Sequence, residues 1–258
     1  MAPDQLHFDT FEWQLQLLAA YPVVAKRIDP ELVKISKTNP RLPYGVKANP
    51  DTTTTAYYQG GTADGPHTKA RPGYHCVNLY KPETRPTWEL MALSLHETVP
   101  GHHFQFARAL ELEGMPRFRK TACFVAYGEG WALYAEQLGC DMGLYDDPYE
   151  RFGQLTYEMW RAVRLVVDTG KHAFGWSREQ TIAYFKAHTA KTEQDIVNEV
   201  DRYIAWPGQA LAYKIGQLRI SALRDFNGAL LETGSVPLAA LDKRMRQWIA
   251  AATAEVAR

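Results

Sequence analysis

Eight consecutive residues, His96-Glu97-Thr98-Val99-Pro100-Gly101-His102-His103, hold three of the chain's eight histidines and set a glutamate directly after the first. Neutral imidazoles are common zinc ligands, and a carboxylate beside one suits a general base for an activated water. A frequent design puts two histidines at i and i+4 on one helix, with the glutamate at i+1. Here position i+4 is Pro100, and the returning histidines stand at i+6 and i+7. In an unbroken helix i+7 regains the same face but lies ~10.5 Å along the axis, too far for two Zn–N bonds of about 2.0–2.1 Å. Pro100 removes an i→i−4 hydrogen bond and Gly101 accepts unusual dihedrals, so a bulge or kink there is expected to swing one histidine back. His102 is favoured as the second ligand, because two inserted residues turn an i+4 relation into i+6. His103 is the alternative, and whichever of the pair does not bind metal is left to support the site or touch substrate.

The segment Glu129-Gly130-Trp131-Ala132-Leu133-Tyr134-Ala135-Glu136 can supply the missing acidic ligand. Glu129 lies between Gly128 and Gly130, and small neighbours let a carboxylate approach another helix closely. Glu136 shares its stripe at i+7; it either holds a ligand histidine from behind or is a solvated surface residue. Such a set would bind one zinc ion per chain, with Glu97 as general base and then acid. The oxyanion of a hydrolysis needs a further donor. Tyr213 is the first candidate, against an ordinary half-buried helix tyrosine, and His172 the second. His172 ends a stripe, Arg161, Arg164, Asp168, His172, inside an otherwise apolar helix. Either Arg164 and Asp168 form an exposed pair worth little, or the stripe faces a cleft and Arg161 or Arg164 binds a substrate carboxylate.

The elements that must position these residues can be read more coarsely. Residues 9–27 have helical apolar spacing up to Pro22. Within a Pro/Gly/Thr-rich section, roughly residues 38–86, three aromatic and β-branched runs read as short strands: Pro43 to Val46, Ala56 to Gln59 and Tyr74 to Tyr80. Gly60 to Gly65 reads as a loop. From Pro86 onward the pattern is helical, and the nearly apolar Trp88–Leu95 run implies a helix buried on several sides. Asp147-Pro148 starts a helix to about Lys171, and Ser177/Gln180 and Thr192/Asp195 fit capping boxes. Pro207-Gly208 breaks one helix and allows another from about Gln209 to Leu231, and a last helix begins near Pro237. The expected class is α+β, predominantly α-helical, with a small antiparallel or mixed sheet packed on helices. The whole of residues 1–258 reads as one domain, with no linker.

The chain has 258 residues, 46% hydrophobic and 22% charged, with zero formal net charge. No basic stripe appears, which argues against a nucleic-acid partner. No apolar run approaches the ~20 residues of a membrane span. The start, MAPDQLHFDTFEW, has no basic region followed by an apolar one, so no signal peptide is expected as written. That points to the cytoplasm, or to a periplasmic or secreted location if an N-terminal region is missing. Cys76, Cys123 and Cys140 are odd in number and lack CxxC spacing, so free buried thiols are expected.

HETVPGHH, EGWALYAEQLG, YDDPYERFGQLTYEMWRAVRLVVDTGKH and AWPGQALAYKIG together closely resemble the bacterial domain-of-unknown-function 885 family, from about Tyr44 to Trp248. Members of that family are much longer, with a long helical N-terminal region. The resemblance implies a gluzincin-type zinc metallopeptidase with a thermolysin-like core, of which this chain is the C-terminal catalytic part. Glu129-Gly130-Trp131-Ala132 is also similar to the Asn-Glu-Gly-Phe-Ala segment of aminopeptidases in that clan, which implies that Glu129 is the third zinc ligand. It further implies an edge strand that pairs with extended substrate, here Tyr74 to Tyr80 or Ala56 to Gln59, with Tyr58 and Asn78 as substrate contacts; plain sheet packing is the alternative. The expected activity is zinc-dependent hydrolysis of peptide bonds in short peptides. The alternatives are an amidase or acyl hydrolase on a non-peptide substrate, and a non-catalytic metal-binding module.

Overall fold

The computed structural model describes residues 10–50, 55–63, 69–223 and 227–256, with side chains to residue 251. The expected signal-peptide-free start lies largely outside the described residues, as do the last two positions of the Gly60–Gly65 loop. Helix α1 (Phe11–Ile28) is capped by Thr10, whose side chain accepts from the Trp13 amide. It runs on through Pro22, where the sequence suggested an end. Leu17, Tyr21, Val24 and Ile28 form one buried stripe across the proline, and burial of about 1.5–3 kcal/mol per large apolar side chain offsets the lost hydrogen bond.

Strands β1 (Tyr44–Ala48), β2 (Tyr57–Gln59) and β3 (Gly73–Val77) form a mixed sheet in the order β1-β3-β2. β1 pairs parallel to β3, with Val46 opposite His75, and β2 pairs antiparallel to β3, with Tyr58 opposite the same His75. The central strand is therefore β3. Of the Tyr74–Tyr80 run, Tyr74 to Cys76 are paired on both sides and the strand ends at Val77, so it is not an edge.

Pro86 precedes a single 3₁₀ turn, Thr87–Glu89, and helix α2 (Leu90–Glu97) follows. Seven of its eight residues are buried. It lies between two apolar clusters. One joins α1 to Met91 and Leu95 and to α5 (Val125–Met142). The other holds Ala92 against Tyr157, Val163 and Val167 of α6 (Pro148–Ala173), with Phe185 and Val200 behind them. The remaining helices are α3 (His102–Glu111), α4 (Arg117–Thr121), α7 (Arg178–His188), α8 (Glu193–Ala205), α9 (Leu211–Ser221), α10 (Asn227–Leu231) and α11 (Leu238–Val256).

Caps follow the sequence with one exception. Asp147 caps α6 through the Tyr149 amide, and Ser177 with Gln180 forms a full capping box on α7. Thr192 caps α8 through the Asp195 amide, while the Asp195 carboxylate turns to Lys191 at 3.4 Å. The single helix expected over 209–231 is two, α9 and α10. The fold is mostly helical with one small mixed sheet, and no helix of the described residues is long and apolar enough to cross a membrane. Of the cysteines only Cys76 is buried; Cys123 and Cys140 are exposed, which corrects the expectation of three buried thiols.

Candidate metal centre

The chain solves the His96–His102 spacing by ending one helix and starting another. Thr98 leaves the helical region (φ −109°, ψ −113°), the Val99–Pro100 peptide is cis, and α3 opens at His102. Gly101 is required at the crossing, because a Cβ there would lie 2.0 Å from the His96 carbonyl oxygen and 2.3 Å from that of Leu95. Trp131 of α5 ties the turn down, its indole N–H donating to the Pro100 carbonyl at 2.7 Å. The expected bulge or kink is realised as a break between two helices.

The break brings the His96 and His102 rings to 4.8 Å at an interplanar angle of 87°. Glu129 approaches both from α5: its Oε2 lies 3.2 Å from His102 Nε2 and 3.6 Å from His96 Nε2. One ligand atom from each of the three residues falls within 4.8 Å of the others. Tetrahedral bonds of about 2.0–2.2 Å to zinc separate ligand atoms by roughly 3.3–3.5 Å, which the two Glu129–histidine distances match closely, so the cluster is of a size to take a single ion. These contacts are close without hydrogen-bond alignment, and Glu129 Oε2 is buried with no hydrogen-bond partner among the described residues. A shared cation would satisfy all three groups at once.

The far side of His96 is also held. Its Nδ1 lies 2.7 Å from Oε1 of Glu136, which is fully buried and 3.4 Å from Arg161 Nη2. An Nδ1–H donated to Glu136 leaves the Nε2 lone pair facing the cluster. Burial opposes charge on His96, yet the Glu129 and Glu136 carboxylates outweigh it and raise its pKa to about 9. Burial likewise opposes the charged form of Glu129, and His102 and His96 outweigh it, holding that carboxyl well below its usual range. Glu97 is buried, its Oε2 lacks a hydrogen-bond partner among the described residues, and desolvation raises its pKa.

The cluster opens on a cleft of about 460 Å³, lined by Glu97, Tyr58, Arg161, Arg164 and Tyr213 among others. Tyr213 stacks on His96 (centroids 6.1 Å apart, 17°), and its hydroxyl accepts from Gln209 Nε2 at 3.3 Å. Tyr213 gets there because α9 packs directly on α5. A Cβ on Gly216 would lie 1.9 Å from the Ala126 carbonyl oxygen, and one on Gly130 would lie 2.5 Å from Gly216 Cα. β2 forms part of another wall through Tyr57 and Tyr58.

Several expected residues sit elsewhere. His103 faces away from the cluster: Nε2 lies 2.9 Å from the Leu42 carbonyl and Nδ1 3.0 Å from the Tyr58 hydroxyl. It must therefore donate from Nε2 and accept at Nδ1, a neutral form consistent with a pKa lowered by burial. It is not a ligand in this cluster but a tether between α3 and the segment before β1. Asn78 accepts from the Tyr80 amide in the turn after β3 and does not line the cleft. His172 lies 3.0 Å from the Tyr203 carbonyl and is likewise outside the cleft. Asp168 is no partner of Arg164; it accepts from the Gly208 amide at 3.2 Å and holds the Pro207-Gly208 break.

Three charged groups of the cleft carry no recognisable spacing in the sequence. Lys191 is held by Glu89 at 2.8 Å, and Glu199 and Arg202 of α8 meet Arg164 of α6. Glu199 and Arg202 sit three apart, as in any solvated i,i+3 helix pair. No signal along the chain says that this face turns inward.

The fold is shared with solved structures. A "putative lipoprotein" from Colwellia psychrerythraea matches with a TM-score of 0.89 and 35% identity, covering 96% of this chain and 45% of that one. A "putative lipoprotein of unknown function" from Shewanella oneidensis matches with a TM-score of 0.69 at 19% identity, covering 96% and 51%; at that identity the likeness is one of fold alone. The chain thus spans about half the length of these relatives. It matches no curated protein. Residues 1–245 match the model of the family described as "bacterial protein of unknown function (DUF885)", and the chain belongs to that family.

Proposed function

We propose that this chain is a zinc-dependent hydrolase of peptide bonds in short peptides, with His96, His102 and Glu129 holding one zinc ion. The observation that carries the reading is the convergence of three ligand atoms within 4.8 Å, next to a buried carboxylate, Glu97, with an unpartnered oxygen. A site that only stored metal has no use for that carboxylate. The ligand order His, His, Glu, with a glutamate after the first histidine, also supports kinship with the gluzincin peptidases and a thermolysin-like core.

Zinc, when bound, supplies Lewis-acid chemistry and makes a water acidic enough to ionise near neutral pH. The chain's own residues do the rest. Glu97, its basicity raised by desolvation, takes the proton of the attacking water at Oε2 and hands it to the departing amine. Tyr213, kept neutral by burial that raises its pKa to about 12, offers its hydroxyl to the oxygen of the scissile carbonyl. Glu136 and Arg161 fix the His96 ring. β2, an outer strand lining the cleft, accepts an extended peptide as a further strand. The two matched structures are each described as a "putative lipoprotein", which supports an extracytoplasmic location.

The test is cleavage of a panel of short peptides by the zinc-loaded protein, followed by chromatography. Wild type is expected to release fragments, and Glu97→Gln to lose roughly 10²–10⁴-fold in rate while keeping its zinc. Equal rates in the two would remove Glu97 from the mechanism. Hydrolysis of non-peptide amides alone would change the substrate class.

A further inference from the structure

The basic groups on the α6 and α8 side of the cleft are partnered unequally. Lys191 is met by both Glu89 and Asp195, at 2.8 and 3.4 Å. Arg161 is met by Glu136 at 3.4 Å. Arg164 and Arg202, by contrast, share a single carboxylate. Glu199 Oε2 accepts from Arg164 Nη2 at 2.9 Å and from Arg202 Nη2 at 2.7 Å, and Oε1 accepts from Arg202 Nε at 3.3 Å. The other hydrogen-bond partners are neutral: Arg164 Nε donates to the Tyr203 hydroxyl at 2.6 Å, and Arg202 Nη1 to the Gln209 amide oxygen at 2.7 Å. Two guanidinium groups thus share one hydrogen-bonded carboxylate; the Asp168 carboxylate is near enough to be influenced by Arg202, but it accepts from the Gly208 amide and is no partner of Arg164. Arg164 is only 3% exposed, where a charge short of partners is costly. Its Nη1 is buried with no acceptor among the described residues, although the residue lines the cleft. An anion arriving through the cleft would add negative charge and complete the hydrogen bonds.

The position relative to the metal cluster narrows the anion. Tyr213 lies between them, with its ring 6.1 Å from that of His96 and 4.3 Å from the Arg164 guanidinium carbon. An extended peptide advances ~3.3–3.6 Å per residue, so a carboxylate at Arg164 sits no more than about three residues beyond a bond held at the cluster. We propose that Arg164, backed by Arg202, binds the free C-terminal carboxylate of the substrate, so that the protein removes a short piece, up to about three residues, from peptide C-termini. This rests on the zinc-peptidase reading above. An acidic side chain offers the same chemistry, and the test separates the two sources.

Binding is measured by calorimetry on the zinc-loaded Glu97→Gln protein, so that no turnover is needed. The probes are trialanine as the free acid, trialanine amide, and Ala-Ala-Glu amide. The free acid is expected to bind roughly 30-fold or more tightly than its amide, with Ala-Ala-Glu amide close to the latter. In Glu97→Gln/Arg164→Gln, with zinc content unchanged, the acid preference should fall to within about threefold. Equal binding of acid and amide by Glu97→Gln overturns the proposal, as does a preference that survives Arg164→Gln. Tight binding of Ala-Ala-Glu amide would assign the pocket to side-chain carboxylates instead. If the double variant does not fold, the acid–amide comparison in Glu97→Gln decides alone. A clear acid preference together with an inert wild type would defeat the hydrolase reading and leave the carboxylate pocket standing.

Discussion

At the residue scale the account depends on which nitrogen of each histidine faces which partner. His96 presents Nε2 to the cluster because Nδ1 is engaged by Glu136 at 2.7 Å. Replacing Glu136 with Gln keeps an acceptor for Nδ1–H but removes the charge that makes the imidazole a stronger ligand and balances Arg161. Zinc affinity is expected to fall about 10–100-fold, read by competition with a chromophoric chelator; unchanged affinity would make Glu136 a packing residue. The cluster itself was legible from residue types: His96, His102 and Glu129 follow from the motif, the Pro-Gly break and a glutamate between glycines. The exclusion of His103 was not. It depends on Tyr58, 45 residues away, and on the Leu42 carbonyl, 61 away, and no spacing within the motif carries that information. Glu136 was left open for a similar reason, since a glutamate at i+7 looks the same whether its helix face is covered or wet.

At the scale of elements the site is assembled by close backbone approaches. Gly130 and Gly216 let α5 and α9 touch, which sets Tyr213 against His96. Gly216→Ala would put a Cβ 1.9 Å from the Ala126 carbonyl oxygen. It is expected to cost about 1–3 kcal/mol or more, seen as a lower urea midpoint, and to reduce peptide cleavage, because the two helices forced apart carry Tyr213 and Glu129. A variant of full stability would place the helices further apart than described. β3 gives a second prediction. His75 is fully buried, edge-on to Tyr21 at 4.9 Å, and neither ring nitrogen has a hydrogen-bond partner among the described residues. Burial, with a smaller repulsion from His96, lowers its pKa from 6.5 to about 3. Below pH 6.5 the unfolded chain therefore binds a proton that the fold refuses. The stability tied to this group is intact above that pH and is lost as pH falls from 6.5 toward 3. Metal-free His75→Phe should lose less stability than metal-free wild type between neutral and mildly acidic pH, measured by urea unfolding. Parallel losses in the two proteins would contradict this. The strands and most helix starts were readable from β-branched runs and caps, whereas the passage of α1 through Pro22 and the division of the 209–231 helix reflect tertiary packing that overrides local signals.

At the scale of the molecule, the cleft is a meeting place of distant segments: β2 from one end of the chain, α2 and α3 from the middle, and α5, α6, α8 and α9 around them. The class, mostly helical with a small sheet, was legible because the helical period dominates after Pro86. The inward face of α8 was not, since Glu199 and Arg202 look like an ordinary solvated pair until Arg164 arrives from α6. Everything functional here depends on one claim, that His96, His102 and Glu129 together hold a metal ion. The direct measurement is zinc content per chain by plasma mass spectrometry after zinc loading and desalting, on wild type, His96→Ala, Glu129→Ala, Glu97→Gln and His103→Gln. The account predicts about one zinc in wild type, Glu97→Gln and His103→Gln, and little in His96→Ala and Glu129→Ala. Folded wild type that retains no zinc, or a loss in His103→Gln equal to that in His96→Ala, would contradict it.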